Sequence, residues 1–527
     1  MKPVEGLLPH LAVLPIVVPL FAGALLMLLR GAAWTRVLAS LSLASLLVMA
    51  LALIAATASG ASWTYMVGNW PAPFGIAMAV DRLAALMLTI SALMGIACQL
   101  AALGRASGRF TALLQFQLAG LNGAFLTADL FNLFVFFEVL LAASYALLLD
   151  GQGAARLRAG LHYVTVNLLG SSLFLIAAAM FYGIAGTLNL ADLDVRLDTL
   201  PATDIGLAQV AGLLLLVVFA IKAAALPLGL WLPGTYGAAS AHVAALFAIM
   251  TKVGIYAILR VHGALFEPAP IAALPTGADV DPLAGLVLPW LLPAGLVTLL
   301  LGACGALAAR DLRVLVAWLV VVSAGVLLAA LGLGSTRATA AALYYLPHST
   351  LAAGAAFLAV EFIARGRAGS NPPAAEHYLV NGSARVRGAP WIGACFFAAA
   401  LVIAGLPPGS GFIAKVLLLD AAAGTPAQFW LWAGVLLASL LILVSLARAA
   451  SAVFWRPEAD RAGHADACTS GDAPPADAQA ADAQAAIDGR GMRLACALLL
   501  VSGLAMVLFA TSLFDFLLQA AATLGGP

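Results

Sequence analysis

Long apolar segments recur along this sequence, each about the length that an α-helix needs to cross a lipid bilayer. Such a helix takes roughly 20 predominantly apolar residues. Segments of this kind occupy residues 11–29, 34–58, 81–104, 110–128, 130–149, 160–186, 206–232, 240–262, 283–308, 312–333, 338–364, 389–419, 428–454 and 492–520. Because backbone groups in lipid must be hydrogen-bonded within the protein, these segments predict helices. The sequence therefore predicts an all-α polytopic membrane protein with about 14 transmembrane helices.

The composition excludes a soluble protein and several kinds of function. The chain is 64% hydrophobic and 9% charged, whereas a globular chain is about 25% charged. Its net charge is +1, and it lacks a basic patch interleaved with aromatic residues, so we expect no nucleic-acid partner. The five cysteines show no CxxC spacing, and no P-loop, dinucleotide motif or paired haem histidines occur. We therefore expect no metal site and no cofactor.

The positive charges indicate an orientation, because short cytoplasmic loops collect arginine and lysine. Placing the N-terminus outside puts most arginines on the inner side, as in the loops around residues 30–36, 105–109, 156–158 and 310–313. Both termini would then lie outside. One inward segment, 457–490, is rich in Ala and Asp. We expect it to be disordered, with helical fragments as the alternative.

Four ionisable residues lie inside apolar segments, where charge is costly. Of the 25 basic residues only four are lysines, and three of these, Lys222, Lys252 and Lys415, fall within predicted helices, as does Glu138. Each charge facing lipid would cost about 2.5–3.5 kcal/mol. These groups must therefore face the protein interior or water, and we expect Glu138 and Lys222 to pair. A buried lysine can also release its proton, which a guanidinium hardly ever does.

Two of the lysines lie beside helix breakers. Pro227 follows Lys222, and Pro407, Pro408 and Gly409 precede Lys415. Proline removes a backbone donor, and interrupted helices in corresponding places indicate a transporter with internal repeats. We expect helices 7 and 12 to be broken and the repeats to be inverted. The predicted units are 1–104 (helices 1–3), 110–262 (first five-helix repeat), 283–454 (second repeat), the 457–490 loop and 492–527 (helix 14).

Each candidate residue also has a plainer interpretation. Glu138 and Lys415 could reach water or headgroups at a helix end, and Lys222 and Lys252 could extend towards the interface. His348, which follows Pro347 and precedes two hydroxyl residues, is either a proton relay or a structural histidine. His162 and His242 lie near predicted span ends and are either functional or structural histidines. Asp129 and Glu361 lie near the membrane interfaces and are either entrance groups or structural residues.

Several segments resemble a known family. TADLFNLFVFFEVLLAASYALLL, IKAAALPLGLWLPGTYGAASAHVAALFAIMTKVGIYAILRV and GLPPGSGFIAKVLLL are similar to the antiporter-like subunits shared by respiratory complex I and Mrp-type cation/proton antiporters. GNWPAPFGIAMAVDRLAALML is most similar to the D-type subunits of the Mrp (Pha) antiporters. The resemblance implies fourteen helices with two inverted five-helix repeats. It also implies proton-translocating residues on helices 5, 7, 8, 11 and 12, which here are Glu138, Lys222, Lys252, His348 and Lys415.

The leading hypothesis is a subunit of a multisubunit Na⁺ or K⁺/proton antiporter in the bacterial inner membrane, with both termini periplasmic. It would work with the other subunits of that complex and move protons through the buried Glu/Lys chain. It would be a transporter subunit and not itself an enzyme. The second hypothesis is a proton-pumping subunit of an NADH:quinone oxidoreductase or related redox complex. The third is an assembly scaffold that transports nothing, which the buried lysines disfavour.

Overall fold

The computed structural model describes residues 9–28, 32–103, 108–150, 153–266, 282–368, 390–455 and 476–524. Helices dominate these residues, and a short 3₁₀ turn (Pro9–Ala12) precedes the first. The helices are α1 (Leu14–Leu28), α2 (Ala32–Thr57), α3 (Arg82–Ala101), α4 (Gly108–Leu126), α5 (Leu130–Leu149), α6 (Ala154–Ala185), α7 (Leu190–Leu197), α8 (Ala202–Ala223), α9 (Trp231–Ala238), α10 (Ala241–Phe247), α11 (Met250–Ala257), α12 (Leu288–Ala308), α13 (Leu312–Leu331), α14 (Thr336–Ala368), α15 (Pro390–Ala404), α16 (Ser410–Ala422), α17 (Gln428–Ala450), α18 (Ala476–Leu508) and α19 (Ala510–Ala522).

Eleven helical stretches within the described ranges are long and apolar enough to cross a bilayer. Three shorter apolar helices, α1, α15 and α19, lie among them, and α4 carries several buried polar residues. Each of the fourteen predicted segments contains helix, so the prediction of an all-α polytopic membrane protein is confirmed. The sequence located these helices because run length and hydropathy are local properties of the chain.

Four predicted segments are interrupted. The predicted breaks are present: one lies between α8 and α9 and contains Pro227, and the other lies between α15 and α16 and contains Pro407 and Pro408. Two further breaks were not predicted, one at Ala248–Ile249 between α10 and α11, and one at Phe509 between α18 and α19. Neither proline nor glycine marks these two positions, so the usual sequence signal is missing.

The segment predicted to be disordered, 457–490, is only partly described. Residues 457–475 lie outside the described residues. Residues 476–490 form the first part of α18, the helical alternative that the prediction left open. The segment ADAQAADAQAA is dominated by alanine, the residue with the highest helix propensity, and it continues directly into an apolar helix.

A small antiparallel hairpin marks one end of the bundle. Its strands are β1 (Trp63–Met66) and β2 (Ala77–Val80), with Trp63 opposite Val80. Single bridges join Met78 to Thr127 and Asp129 to Asn189 at the same end. We call this end the hairpin side. The hairpin was not predicted, since two four-residue strands carry little periodicity.

The opposite end, which we call the arginine side, is tied together by arginine side chains. They donate hydrogen bonds to backbone carbonyls at helix ends, where these groups lack helical partners. The bonds run from Arg156 to the Ala238 carbonyl (3.0 Å), from Arg313 to Ala239 (3.3 Å) and from Arg448 to Ala309 (2.8 Å). The arginines that indicated an inward side thus also hold helices together.

The core lies at α3, α10–α11, α13 and α14, whose spans are the most enclosed. Within one apolar 18-residue window of each span, 94% of the residues are buried in α10–α11 and α14, against 33% in α2 and 39% in α6, α8, α12, α17 and α18. The outer helices expose large apolar side chains such as Leu168 and Leu440, as a lipid-facing surface would. The central helices carry Lys252 and His348, and the other charged candidates lie on helices nearer the periphery.

Candidate functional site

Lys222 lies in the last turn of α8, directly before the first break, and its side chain is buried. Its ammonium group donates to the Asn167 backbone carbonyl (3.5 Å) and side-chain oxygen (3.4 Å) on α6. The Asn167 amide nitrogen donates to the Tyr163 carbonyl, which leaves the amide oxygen facing the ammonium. The Phe137 ring lies 5.8 Å from the nitrogen, close enough for a cation–π contact.

Glu138 on α5 accepts a short hydrogen bond from the Ser171 hydroxyl on α6. Contrary to the prediction, no direct ion pair joins Glu138 to Lys222 among the residues described here. The reason is that α6 lies against both groups and supplies Ser171 to one and Asn167 to the other, one helical turn apart. The carboxylate is still near enough for its charge to act on the Lys222 ammonium.

A small cavity of about 10 Å³ lies beside Lys222, enough room for about one water molecule. Its lining includes Tyr163, Asn167 and Lys222, and also Met250 and Val253 of α11. The Tyr163 hydroxyl is bonded to Ser144 at 2.9 Å. The cavity therefore adjoins both Lys222 and the helix that bears Lys252, which contributes apolar side chains to it.

Lys252 is fully enclosed, with 0% of its side chain exposed. It lies in the first turn of α11, just after the break at Ala248–Ile249. Its ammonium donates to the Ser323 hydroxyl on α13 (2.7 Å) and to the adjacent Thr251 hydroxyl (3.3 Å). Both partners are neutral, so this charge has no counter-ion in contact within the described part of the chain.

His348 lies in the middle of α14, directly after Pro347, and is buried. Its Nδ1 is 3.0 Å from the Ser410 hydroxyl at the start of α16. The ammonium groups of both Lys415 and Lys252 are near enough for their charges to act on the ring. Gly411 permits α16 to pack closely against His348 of α14 and Val402 of α15. A Cβ at Gly411 would lie 2.7 Å from His348 Cε1 and 2.1 Å from the Val402 carbonyl oxygen.

Lys415 on α16 reaches back across the second break. Its ammonium donates to the Ala404 carbonyl (2.7 Å), at the end of α15, and to the Ser439 hydroxyl on α17 (2.9 Å). A cation is favourable at the C-terminal end of a helix, where carbonyls are unpaired and the dipole is negative. Gly405 has φ +76°, and a Cβ at that position would lie 2.9 Å from the Lys415 nitrogen.

The helix breaks themselves are covered by protein. At the first break, which contains Pro227, the Leu226 amide donates to the Thr298 hydroxyl and the Trp231 indole donates to the Ile221 carbonyl. At the second break, which contains Pro407 and Pro408, the Gly409 amide donates to the Leu406 carbonyl. Buried backbone groups at membrane depth need such partners.

The weaker candidates have other surroundings than the charged row, by which we mean Glu138, Lys222, Lys252, His348 and Lys415. His162 is exposed on α6. His242, on α10, contacts Ser240 (3.2 Å) and the Phe110 ring. Asp129 caps α5, because its carboxylate accepts a hydrogen bond from the Asn132 amide (2.8 Å). Burial raises the pKa of the Asp129 carboxyl, and hydrogen bonds from backbone amides oppose this only in part. Glu361 binds Arg313 and Arg365. These contacts favour structural roles.

Sequence reasoning missed the neutral partners of the charged groups. Asn167, Ser171, Ser323, Ser410 and Ser439 each hydrogen-bond one of the five candidates. The available signal was an isolated amide or hydroxyl in an apolar helix, which is common in membrane helices for other reasons. Only the packing of helices shows which of these side chains face a lysine.

A membrane-crossing bundle that buries two ammonium groups and partly buries a third ammonium group and a carboxylate, near broken helices, defines an ion-translocating membrane protein. Residues 127–441 match the family described as "NADH:quinone oxidoreductase/Mrp antiporter, TM". The chain belongs to this family.

Similar proteins agree on this family. The D subunit of a probable K(+)/H(+) antiporter of Rhizobium meliloti is 41% identical over 480 residues, covering 85% of this chain and 87% of that protein. The D subunit of an Na(+)/H(+) antiporter of Alkalihalophilus pseudofirmus is 34% identical over 453 residues, with coverages of 85% and 87%. A chain in the structure of the Mrp complex from Dietzia sp. superposes with a TM-score of 0.81 at 28% identity, covering 98% of each chain. The named relatives are thus antiporter subunits, which are transporter subunits and not enzymes.

Proposed function

We propose that this protein is a membrane subunit of a multisubunit monovalent cation/proton antiporter and that it moves protons through the charged row formed by Glu138, Lys222, Lys252, His348 and Lys415. Lys252 is the central proton carrier in this proposal. Glu138 and Lys222 are a coupled pair connected by α6, His348 relays between Lys252 and Lys415, and Lys415 is the terminal station. The exchanged cation is Na⁺ or K⁺, the cations in the names of the two relatives.

One observation carries the proposal, namely that hydroxyl groups hydrogen-bond the side chains of Lys252, His348 and Lys415 inside the helix bundle. The charges of both ammonium groups also reach the imidazole. An imidazole bonded to a hydroxyl can accept and release a proton, so His348 can relay one between the two lysines.

The free energy supplied by the membrane potential is similar to the cost of placing a charge in the membrane. Moving one elementary charge through 100 mV of membrane potential is worth about 2.3 kcal/mol. Placing one charge in the membrane costs about 2.5–3.5 kcal/mol on insertion scales. Modest changes in the hydrogen bonds of a lysine can therefore decide where the proton resides.

The proposal extends to the surroundings of the chain. Its partners are the other subunits of the antiporter, and its location is the bacterial inner membrane with both termini periplasmic. The hairpin side then faces outwards. The two inverted five-helix repeats, 110–262 and 283–454, remain part of the proposal, supported by a broken helix in each.

The alternative of a subunit in an NADH:quinone oxidoreductase shares the fold and the family. The antiporter is favoured because the named relatives that match 85% of this chain are antiporter subunits. Any redox chemistry in the alternative would belong to partner subunits, since this chain carries no nucleotide or haem motif.

The test is to replace Glu138 or Lys222 by Ala in the otherwise intact complex and to measure cation/proton exchange in membrane vesicles. We expect assembly to persist and exchange to fall by at least roughly 100-fold, the usual contribution of a positioned proton-transfer group. Exchange at normal levels in an assembled variant would reject the mechanism.

A further inference from the structure

The helix that bears Lys252 continues towards the hairpin side and carries two more polar side chains on the same face. Tyr256 and Arg260 follow Lys252 at intervals of four residues, a spacing that places them above one another on a helix. The helix widens to a π-helix at Ile258–His262, a rare geometry that is frequent at functional sites. The proposed function assigns no role to these residues.

The Tyr256 hydroxyl is fully engaged. It donates to the Phe125 carbonyl at 2.5 Å and accepts from Arg260 Nε (3.0 Å) and Nη2 (2.9 Å). A tyrosine hydroxyl has one donor and room for two incoming bonds. In this arrangement it can neither accept a further proton nor bind a water molecule.

Asp81 holds Arg260 in that position. Asp81 caps α3 at the end of the hairpin, and its two oxygens accept from Arg260 Nη1 (2.5 Å) and Nη2 (3.0 Å). The side chains of Arg260 and Asp81 are only 13% and 19% exposed. A bidentate pair of this kind is directional, so it fixes the guanidinium plane as well as its charge.

We propose that Asp81, Tyr256 and Arg260 form a gate that closes the hairpin-side end of a proton route running along α11 from Lys252. This proposal rests on the proposed function, because the route begins at its central proton carrier. With the ion pair formed, the Tyr256 hydroxyl is saturated and the route is closed. When Arg260 moves away, the Tyr256 hydroxyl accepts a proton from the Lys252 side and releases its own proton towards the hairpin side. The protonation state of Tyr256 is therefore the same before and after the transfer.

Protonation of Asp81 does not open the gate near neutral pH. Burial alone would raise the pKa of the Asp81 carboxyl, but the charge and hydrogen bonds of Arg260, with backbone amides, lower it below its usual value. A lowered carboxyl pKa means that the pair is fully formed above the ordinary value of about 3.9 and is lost only as the pH falls through the lower folded-state value. Opening therefore requires movement of Arg260.

The test measures passive proton leak in vesicles that contain the whole complex, by the decay of an imposed pH difference without exchangeable cation. We expect Asp81→Asn to increase the leak severalfold over wild type. The leak should disappear in the double variant with Lys252→Met, because the route then lacks its carrier. The matched control is Asp420→Asn, which breaks an exposed ion pair with Arg337 (2.6 Å) and should leave the leak unchanged.

Two results would overturn the gate. One is an assembled Asp81→Asn complex as proton-tight as wild type, and the other is a leak that persists in the Lys252→Met double variant. Should Asp81→Asn fail to assemble, Tyr256→Phe keeps the ring and removes only the hydroxyl. We expect it to slow cation-coupled exchange roughly tenfold without leak, and exchange at the wild-type rate would exclude Tyr256 from the route. Absence of exchange in the wild-type complex would instead reject the proposed function.

Discussion

At the scale of single residues, the distinctive feature is that the ammonium groups inside the bundle, two of them buried and one partly buried, are held by neutral oxygens. Lys222 binds an amide, Lys252 two hydroxyls, and Lys415 a carbonyl and a hydroxyl. A carboxylate in contact would hold the proton on the lysine, whereas neutral acceptors stabilise the charge without fixing it. This suits residues that must both take up and release a proton.

Two adjacent serines allow a matched test of the contact to Glu138. Ser171 donates to the Glu138 carboxylate, whereas Ser172 is exposed and donates to the Leu168 carbonyl of its own helix. A hydrogen bond to a charged group is worth about 1.5–3 kcal/mol. We therefore expect Ser171→Ala to slow cation/proton exchange roughly tenfold or more and Ser172→Ala to have little effect. Equal effects of the two substitutions would argue against a role for the Ser171 contact.

At the scale of elements, the second helix break brings a charged side chain to an open backbone group. There α15 ends at Ala404, and the Lys415 ammonium binds that terminal carbonyl. The first break differs, because Lys222 precedes it and binds α6 instead. The two breaks are therefore similar in location but not in how their lysines are held.

Two glycines with nearly the same backbone conformation isolate the contribution of the second break. Gly405 has φ +76° and its added Cβ would meet Lys415, whereas Gly424 has φ +75° and open space around it. Either change to Ala costs about 1–2 kcal/mol of stability from the left-handed conformation alone. Because the Lys415 side chain can yield, we expect thermal unfolding of the complex to show similar losses for both variants.

Exchange activity should distinguish these two variants. Gly405→Ala displaces the ammonium from the Ala404 carbonyl and should slow exchange in vesicles severalfold, whereas Gly424→Ala should not. If both variants exchange cations and protons equally well, the position of Lys415 at the helix end has no part in transport.

The sequence predicted elements whose cause is local. Apolar run length located the helices, prolines marked two breaks, and depth within a run identified Glu138 and the lysines. It did not predict the hydrogen-bond partners, since Ser323 lies 71 residues from Lys252 and Ser410 lies 62 residues from His348. These contacts depend on helix packing. The break at Ala248–Ile249 has no proline or glycine that would have marked it.

At the scale of the whole molecule, the five residues of the proposed charged row lie on helices spread along the chain, from α5 to α16. Glu138 and Lys222 lie among α5, α6 and α8, Lys252 contacts α13, and His348 and Lys415 lie on α14 and α16. The most enclosed helices carry the middle of the row. In the proposed row, the Lys252–Ser323 contact joins α11 to α13, so the proposed proton path depends on Lys252.

The most direct test is therefore proton movement in vesicles that contain the purified complex with Lys252→Met. Methionine has a similar volume, and replacing a buried charge by an apolar group is often neutral for stability, so we expect normal assembly. On addition of Na⁺ or K⁺, wild type should change the internal pH and Lys252→Met should not. An assembled Lys252→Met complex that exchanges at the wild-type rate would contradict the account.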